Sequence, residues 1–117
     1  MVILPLPLDR VEEIFALYDS FNRPPDLHLT KPQAMETLNR IRQQRGEVFV
    51  AQVDGKFVGT YSIFVCHNLA RSGRPFAVIE HVVCLDGYRR KGIGRALMKH
   101  AVDYARDAGC YKVLLET

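Results

Sequence analysis

The spacing of apolar residues changes character along the chain. Residues 2–6 form a short apolar run and predict a strand. From Val11 the apolar positions Ile14, Phe15, Tyr18 and Phe21 recur at helical spacing, behind an Asp9/Glu12 pair that resembles a capping box. Pro24-Pro25 ends that helix. Thr30 with Gln33 offers a second capping box, and Pro32 suits a first helical turn. Met35, Leu38 and Ile41 mark the buried stripe of this second helix, with Gly46 as its stop. Between the helices, Asn22 to Leu29 is polar and Pro-rich and reads as a substrate-side loop.

The second half is β-rich. Glu47 to Val53 and Phe57 to Cys66 flank Asp54-Gly55, a hairpin signal because a type I′ turn needs positive φ at both central positions. Gly59 suggests a bulge. After the loop His67 to Pro75, the run Phe76 to Leu85 is apolar nearly throughout and reads as a central strand. Gly92 to Ala108 is a helix with an apolar face of Ile93, Leu97, Ala101, Tyr104, Ala105 and Ala108, stopped by Gly109. Tyr111 to Leu115 follows as a strand, and a strand–helix–strand unit predicts a parallel pair. The order is β-α-α-β-β-β-α-β, an α/β (α+β) fold with a mixed central sheet, in one domain over 1–117.

Composition narrows the classes. Of 117 residues, 48% are hydrophobic and 25% charged, which argues against disorder. No apolar run approaches the ~20 residues of a membrane span, and the Pro-broken N-terminus without basic residues is a poor signal peptide. The formal charge of +3 is too small to suggest nucleic acid. Cys66, Cys84 and Cys110 show no CxxC spacing, so neither a metal site nor a disulfide framework is expected; they read as reduced core cysteines of a cytoplasmic protein. The charge that matters is local: Arg89, Arg90, Lys91, Arg95 and Lys99 lie close together.

These residues surround the run Cys84-Leu85-Asp86-Gly87-Tyr88-Arg89-Arg90-Lys91-Gly92-Ile93-Gly94-Arg95-Ala96, where a strand ends, glycines follow and a helix begins. Such a junction aims unpaired backbone N–H groups at one spot, at the positive end of a helix dipole, and forms an anion site. Gly92 and Gly94 lack a Cβ and let a phosphate approach. The spacing fits neither a Walker A loop nor a Gly-x-Gly-x-x-Gly fingerprint, since Leu97 stands where the third glycine would be. A ligand-free glycine turn is the plain alternative.

The segment Arg89-x-x-Gly92-x-Gly94-x-Ala96, after a β run and opening a helix, resembles the acetyl-CoA signature of the GNAT superfamily of N-acetyltransferases. With Ile79-Glu80-His81-Val82-Val83-Cys84 before it and Gly109-Cys110-Tyr111-Lys112-Val113 after it, the chain is similar to the glucosamine 6-phosphate N-acetyltransferase branch, which carries Ile-Glu-Asn/Asp-Val-Val and Cys-Tyr-Lys runs. The match covers about forty residues, Val78 to Glu116. The resemblance implies acetyl-CoA as co-substrate, with the backbone of Val82, Val83 and Cys84 pairing with the pantetheine arm and the turn of Arg89, Arg90, Lys91, Gly92, Ile93, Gly94 and Arg95 holding the pyrophosphate. It implies a splay between the strands flanking the helix that admits the thioester. A small-molecule primary amine is the implied acceptor, and no metal is needed.

Acyl transfer to an amine needs a neutral nucleophile placed at the thioester, a proton acceptor, and a donor for the oxyanion. Val82 N–H is the candidate donor. Glu80, two residues earlier, would share its face in a regular strand and bind the ammonium or relay its proton; a structural ion pair is the alternative. His81 would point the other way. His28, His67 and His100 read as structural or surface residues, Tyr88 as a lid on the helix entrance, and Tyr111 as packing. Arg71 and Arg74 suggest a substrate-edge loop. Relatives of this kind continue with a helix and further strands that supply an Asn and a general-acid Tyr, for which no residue here is assigned. The expectation is a truncated chain; a partner chain or a short, catalytically silent acyl-CoA-binding form are the alternatives. A short form with its last strand exposed would favour a homodimer.

Overall fold

In a computed structural model, which describes residues 1–21 and 27–116, five strands form one mixed sheet in the order β1-β2-β3-β4-β5. The strands are β1 (Val2–Pro5), β2 (Gly46–Val53), β3 (Lys56–Cys66), β4 (Phe76–Cys84) and β5 (Val113–Leu115). The first four pair antiparallel; β4 and β5 are parallel, as the strand–helix–strand pattern predicts. The strand β4 is not at the centre of the sheet: β5 lies beyond it, and covers it only in part.

Helices α1 (Ile14–Asp19) and α2 (Lys31–Gln43) pack on one face of the sheet. Leu6, Val11, Ile14, Leu17, Ala34 and Leu38 meet Val48, Val50, Phe57 and Val83 there. Helix α3 (Ile93–Asp107) covers the other face with Ile93, Leu97, Ala101 and Ala105, against Phe49, Tyr61, Ile63 and Ile79. Burial of each large aliphatic side chain contributes about 1.5–3 kcal/mol.

Several local expectations hold in detail. Thr30 and Gln33 form a reciprocal capping box, with Pro32 in the first turn of α2. Asp54 and Gly55 both take positive φ in the β2–β3 hairpin. Others do not hold. Asp9 caps nothing: the chain turns through a 3-10 segment, Leu8–Glu13, led by Pro7, and Glu12 pairs instead with Lys31 at 3.7 Å. The first helix is accordingly only six residues long. Gly46 is not the stop of α2, because Arg45 takes the left-handed position and Gly46 opens β2. Glycine is required there by space: a Cβ would lie 2.8 Å from Ile41 and from the Phe64 ring. The Pro24-Pro25 break and most of the Asn22–Leu29 loop lie outside the described residues.

Two bulges shape the sheet. The β2–β3 register slips between Ala51 and Gln52, leaving Val58 unpaired beside Gly59. A Cβ on Gly59 would sit 3.1–3.2 Å from Leu97, Ile93 and the Val83 carbonyl, so this glycine lets α3 lie close on the sheet. The second bulge, between β3 and β4, forms the site.

Candidate acyl-CoA site

At the second bulge the register changes from Ser62↔Glu80 to Thr60↔Val83, so His81 and Val82 together oppose Tyr61. His81 takes φ 54°, left-handed for a residue inside a strand. Histidine, asparagine and aspartate tolerate this region better than most residues. The extra residue inverts alternation along β4. Ala77 and Ile79 face α3 before the bulge; Val82 and Cys84 face it afterwards, while Val83 turns to the opposite core.

Backbone directions invert as well. Before the bulge the odd-numbered residues bond towards β5: Ala77 N–H donates to the Lys112 carbonyl, and the Ile79 carbonyl accepts from Glu116 N–H. After it, Leu85 N–H donates to Val58 on β3, so by alternation Val83 also bonds towards β3. The backbone groups of Val82 and Cys84 are left on the free side. In an unbulged strand the N–H of Val82 would have been turned into the sheet.

On that side β4 pairs with β5 over Ala77–Ile79. A cleft of about 720 Å³ lies alongside the next residues of β4. Glu80, His81 and Val82 form one wall, Leu115 and Glu116 the other, with Gly94 and Met98 of α3 and Phe21 at its edges. A recess of about 440 Å³ adjoins it, lined by Arg90, Gly92, Gly94 and Arg95. Gly94 belongs to both.

The recess has the features of an anion site. Arg90 and Gly92 take φ 63° and 79°, a turn that aims successive N–H groups outward. Ala96 N–H is the first to bond back into the turn, to the Gly92 carbonyl at 3.0 Å. Among the described residues, no backbone carbonyl accepts from the N–H groups of residues 90–95. No carboxylate among them lies within ion-pair distance of Arg90, Lys91 or Arg95. A Cβ on Gly94 would meet no atom within 4 Å, so its place is open.

The geometry redistributes the expected roles. Arg89 braces the turn, bonding Asp86 at 3.1 Å and the Cys84 carbonyl at 3.3 Å. Lys91 lies 5.5 Å from the centre of the Tyr88 ring, and Tyr88 packs on the α3 core as a lid would. Ile93 is buried and offers only its backbone. Val83 is corrected: its side chain is buried and its backbone faces β3, so it is not available to a ligand in the cleft. The shared face of Glu80 and Val82 is corrected too, because the bulge places their side chains on opposite faces. His81 stands with Glu80 rather than opposite it: its Nδ1 is 3.8 Å from the Glu80 carboxylate, and its ring centre is 5.6 Å from that of Tyr18 on α1.

Other candidates fall elsewhere. Arg71, Arg74 and Lys112 surround Tyr111 at 5.4–5.8 Å, at the opposite end of β4 from the cleft, so the substrate-edge reading of that loop is not supported. His28 bonds Asp19 at 2.9 Å and stacks on Phe15. His100 bonds the buried Tyr61 hydroxyl at 2.6 Å; burial holds its pKa below the usual imidazole value and holds the phenol well above its own. The three cysteines are free. Burial raises the Cys84 thiol, with Arg89 acting weakly against it; a neutral thiol is a poor nucleophile, which disfavours a covalent acyl-enzyme.

A mixed sheet whose bulged fourth strand borders a cleft, beside a glycine-rich helix entrance, matches an acyltransferase-type fold. The acetyltransferase (GNAT) family pattern matches residues 11–117, and the chain belongs to that family. It is 38% identical over 71 residues to the glucosamine 6-phosphate N-acetyltransferase of Trypanosoma brucei brucei, a match covering 61% of this chain and 48% of that protein. The match thus spans about half the length of that relative. Among solved structures, a protein of Agrobacterium tumefaciens str. C58, assigned as an acetyltransferase with no substrate named, superposes with a TM-score of 0.89 at 35% identity, covering 100% of this chain and 81% of the other. The glucosamine-6-phosphate N-acetyltransferase of Arabidopsis thaliana gives 0.86 at 22% identity, covering 99% and 81%, and shows the shared fold.

Proposed function

We propose that the protein binds acetyl-CoA in the cleft and transfers the acetyl group to a primary amine of a small molecule, by direct attack in a ternary complex. The observation that carries this reading is the Val82 backbone, turned away from β3 by the bulge and facing a cleft that runs into the Arg90–Arg95 anion recess. The pyrophosphate fits the recess, where outward N–H groups and the Arg90 and Arg95 side chains meet negative charge. The pantetheine arm would lie along the free edge of β4, taking the place of a neighbouring strand.

With the thioester carbonyl at the bulge, Val82 N–H is the donor for the oxyanion, an interaction whose loss typically costs about 2.7–4 kcal/mol of barrier. Glu80 and Glu116, on facing walls, attract the ammonium form of the acceptor. Glu80 is the carboxylate nearer the donor and binds the amine or relays its proton. The likeness to a glucosamine 6-phosphate N-acetyltransferase makes an amino-sugar phosphate the first acceptor to test. The free cysteines fit a reducing compartment, the cytoplasm.

Two measurements test the proposal together. Calorimetry with CoA reads the binding half, and free-thiol release from acetyl-CoA with a panel of amines, glucosamine 6-phosphate first, reads the transfer half. Binding with amine-dependent thiol release is expected. Binding without release from any amine would leave an acyl-CoA-binding module, and absence of binding would remove both readings.

A further inference from the structure

We propose that His81 is the proton acceptor for the attacking amine and that Glu80 positions it. The inference deepens the acetyl-transfer reading and rests on it. Three observations carry it. First, the bulge puts His81 at φ 54° on the cleft wall, directly before the oxyanion donor Val82. A left-handed residue within a strand is strained by about 1–3 kcal/mol and persists only where its surroundings hold it. Second, Nδ1 lies 3.8 Å from the Glu80 carboxylate, beyond hydrogen-bond reach but within ion-pair range. A carboxylate on that side favours Nδ1–H and leaves Nε2 as the acceptor. Third, the Tyr18 ring, tilted at 51°, flanks the imidazole from α1 and limits its rotation.

The choice between the two neighbours follows from their chemistry. Imidazole titrates near pH 6.5, whereas an ordinary glutamate titrates about 2 units lower, and a base works best with a pKa close to the working pH. Glu80 therefore contributes more by stabilising an imidazolium beside it than by taking the proton itself. The groups facing His81 are consistent with this assignment. Glu80 lies on its own strand and Glu116 across the cleft. From α1 comes Tyr18, whose phenol is kept neutral by burial. The β3 residues Tyr61 and Ser62 and the α3 residues Gly94 and Met98 carry no charge.

The step balances without a further reactant. The ammonium gives one proton to Nε2 of His81. The neutral amine attacks the thioester carbonyl, the C–N bond forms, and the C–S bond breaks. The nitrogen's second proton goes to the CoA thiolate, and the imidazolium returns its proton to solvent.

The test is the pH dependence of kcat/KM in the full-length protein, by thiol release from acetyl-CoA with glucosamine 6-phosphate, glucosamine and spermidine. Two variants remove the imidazole: His81→Asn, which tolerates the left-handed backbone, and His81→Gln. Glu80→Gln tests the positioning role. Calorimetric binding of CoA is measured for every protein as the control for folding. Wild-type kcat/KM should fall on an acid limb as the general base takes up a proton. Both His81 variants should bind CoA as wild type does, lose that limb, and drop about 10²–10⁴-fold at pH 8, the range for general-base loss. Glu80→Gln should keep the limb and lower kcat/KM by less than the His81 variants do, because the imidazole remains but loses the partner that orients it. Retention of the limb and of the rate within about twofold in the His81 variants overturns the assignment while leaving the transfer reading standing. A wild type that binds CoA but transfers to no amine defeats both readings at once.

Discussion

Residues of the same type have been put to different uses by burial. His81 is half-exposed in a cleft, whereas His100 is drawn against the sheet by the Tyr61 hydroxyl and the Phe49 ring. Desolvation lowers the His100 pKa in the folded state. The unfolded chain therefore binds the proton more readily near pH 6.5 and below. The resulting stability is fully present above about pH 6.5 and is lost as pH falls from there through the lower folded pKa. Thermal melts from pH 8 to pH 5 should show this fall in wild type. His100→Gln, which retains an acceptor for Tyr61, should show a flatter profile; an equally steep one would mean that another group is responsible. Among the basic residues, Arg89 ties down the turn while Arg90 and Arg95 line the recess, a division that charge clustering in the sequence could not make.

At the level of elements, what was legible depended on whether the signal was local. The Thr30/Gln33 cap, the Asp54-Gly55 hairpin, the Gly92 entry to α3 and the Gly109 exit each depend on a few adjacent residues, and each appears as expected. The bulge in β4 does not. It arises from pairing with a distant stretch of β3, where His81 and Val82 together oppose Tyr61, and a period-two reading of Ile79 to Cys84 runs straight through it. That reading placed Glu80 beside Val82, and the resemblance placed Val83 on the ligand; the bulge corrects both. A signal was present: the residue at the bulge is His here and Asn or Asp in the resembled branch, all types that tolerate positive φ. Gly59 offers a test of how closely the elements fit. Adding a Cβ there presses on Ile93, Leu97 and the Val83 carbonyl together, and overpacking typically costs about 1–3 kcal/mol. Gly59→Ala should lower the denaturation midpoint accordingly in a urea titration; an unchanged midpoint would show that α3 rides loosely on the sheet.

For the whole molecule, fold and site have a common origin. The bulge turns the Val82 backbone away from β3, and α3 brings its N-terminus to the same cleft. The anion recess was readable in the sequence, because backbone geometry at a glycine turn is encoded locally. The cleft was not, since its lining comes from β4, α3 and the end of the described chain, and the Arg71/Arg74 loop lies at the far end of β4. Gly94 separates coenzyme binding from stability. Its missing Cβ faces open space shared by cleft and recess, so Gly94→Ala should leave the fold intact or raise its stability by up to about 1 kcal/mol, as for alanine replacing glycine in a helix. The same methyl group would occupy the approach of the pyrophosphate. The most direct measurement is therefore calorimetric titration of CoA into the full-length wild type and Gly94→Ala, alongside their melting temperatures. The account predicts saturable binding to wild type, affinity weakened by about tenfold or more in the variant, corresponding to ~1.4 kcal/mol, and a melting temperature equal or higher. Equal CoA affinity in the two proteins, or none in either, would contradict it.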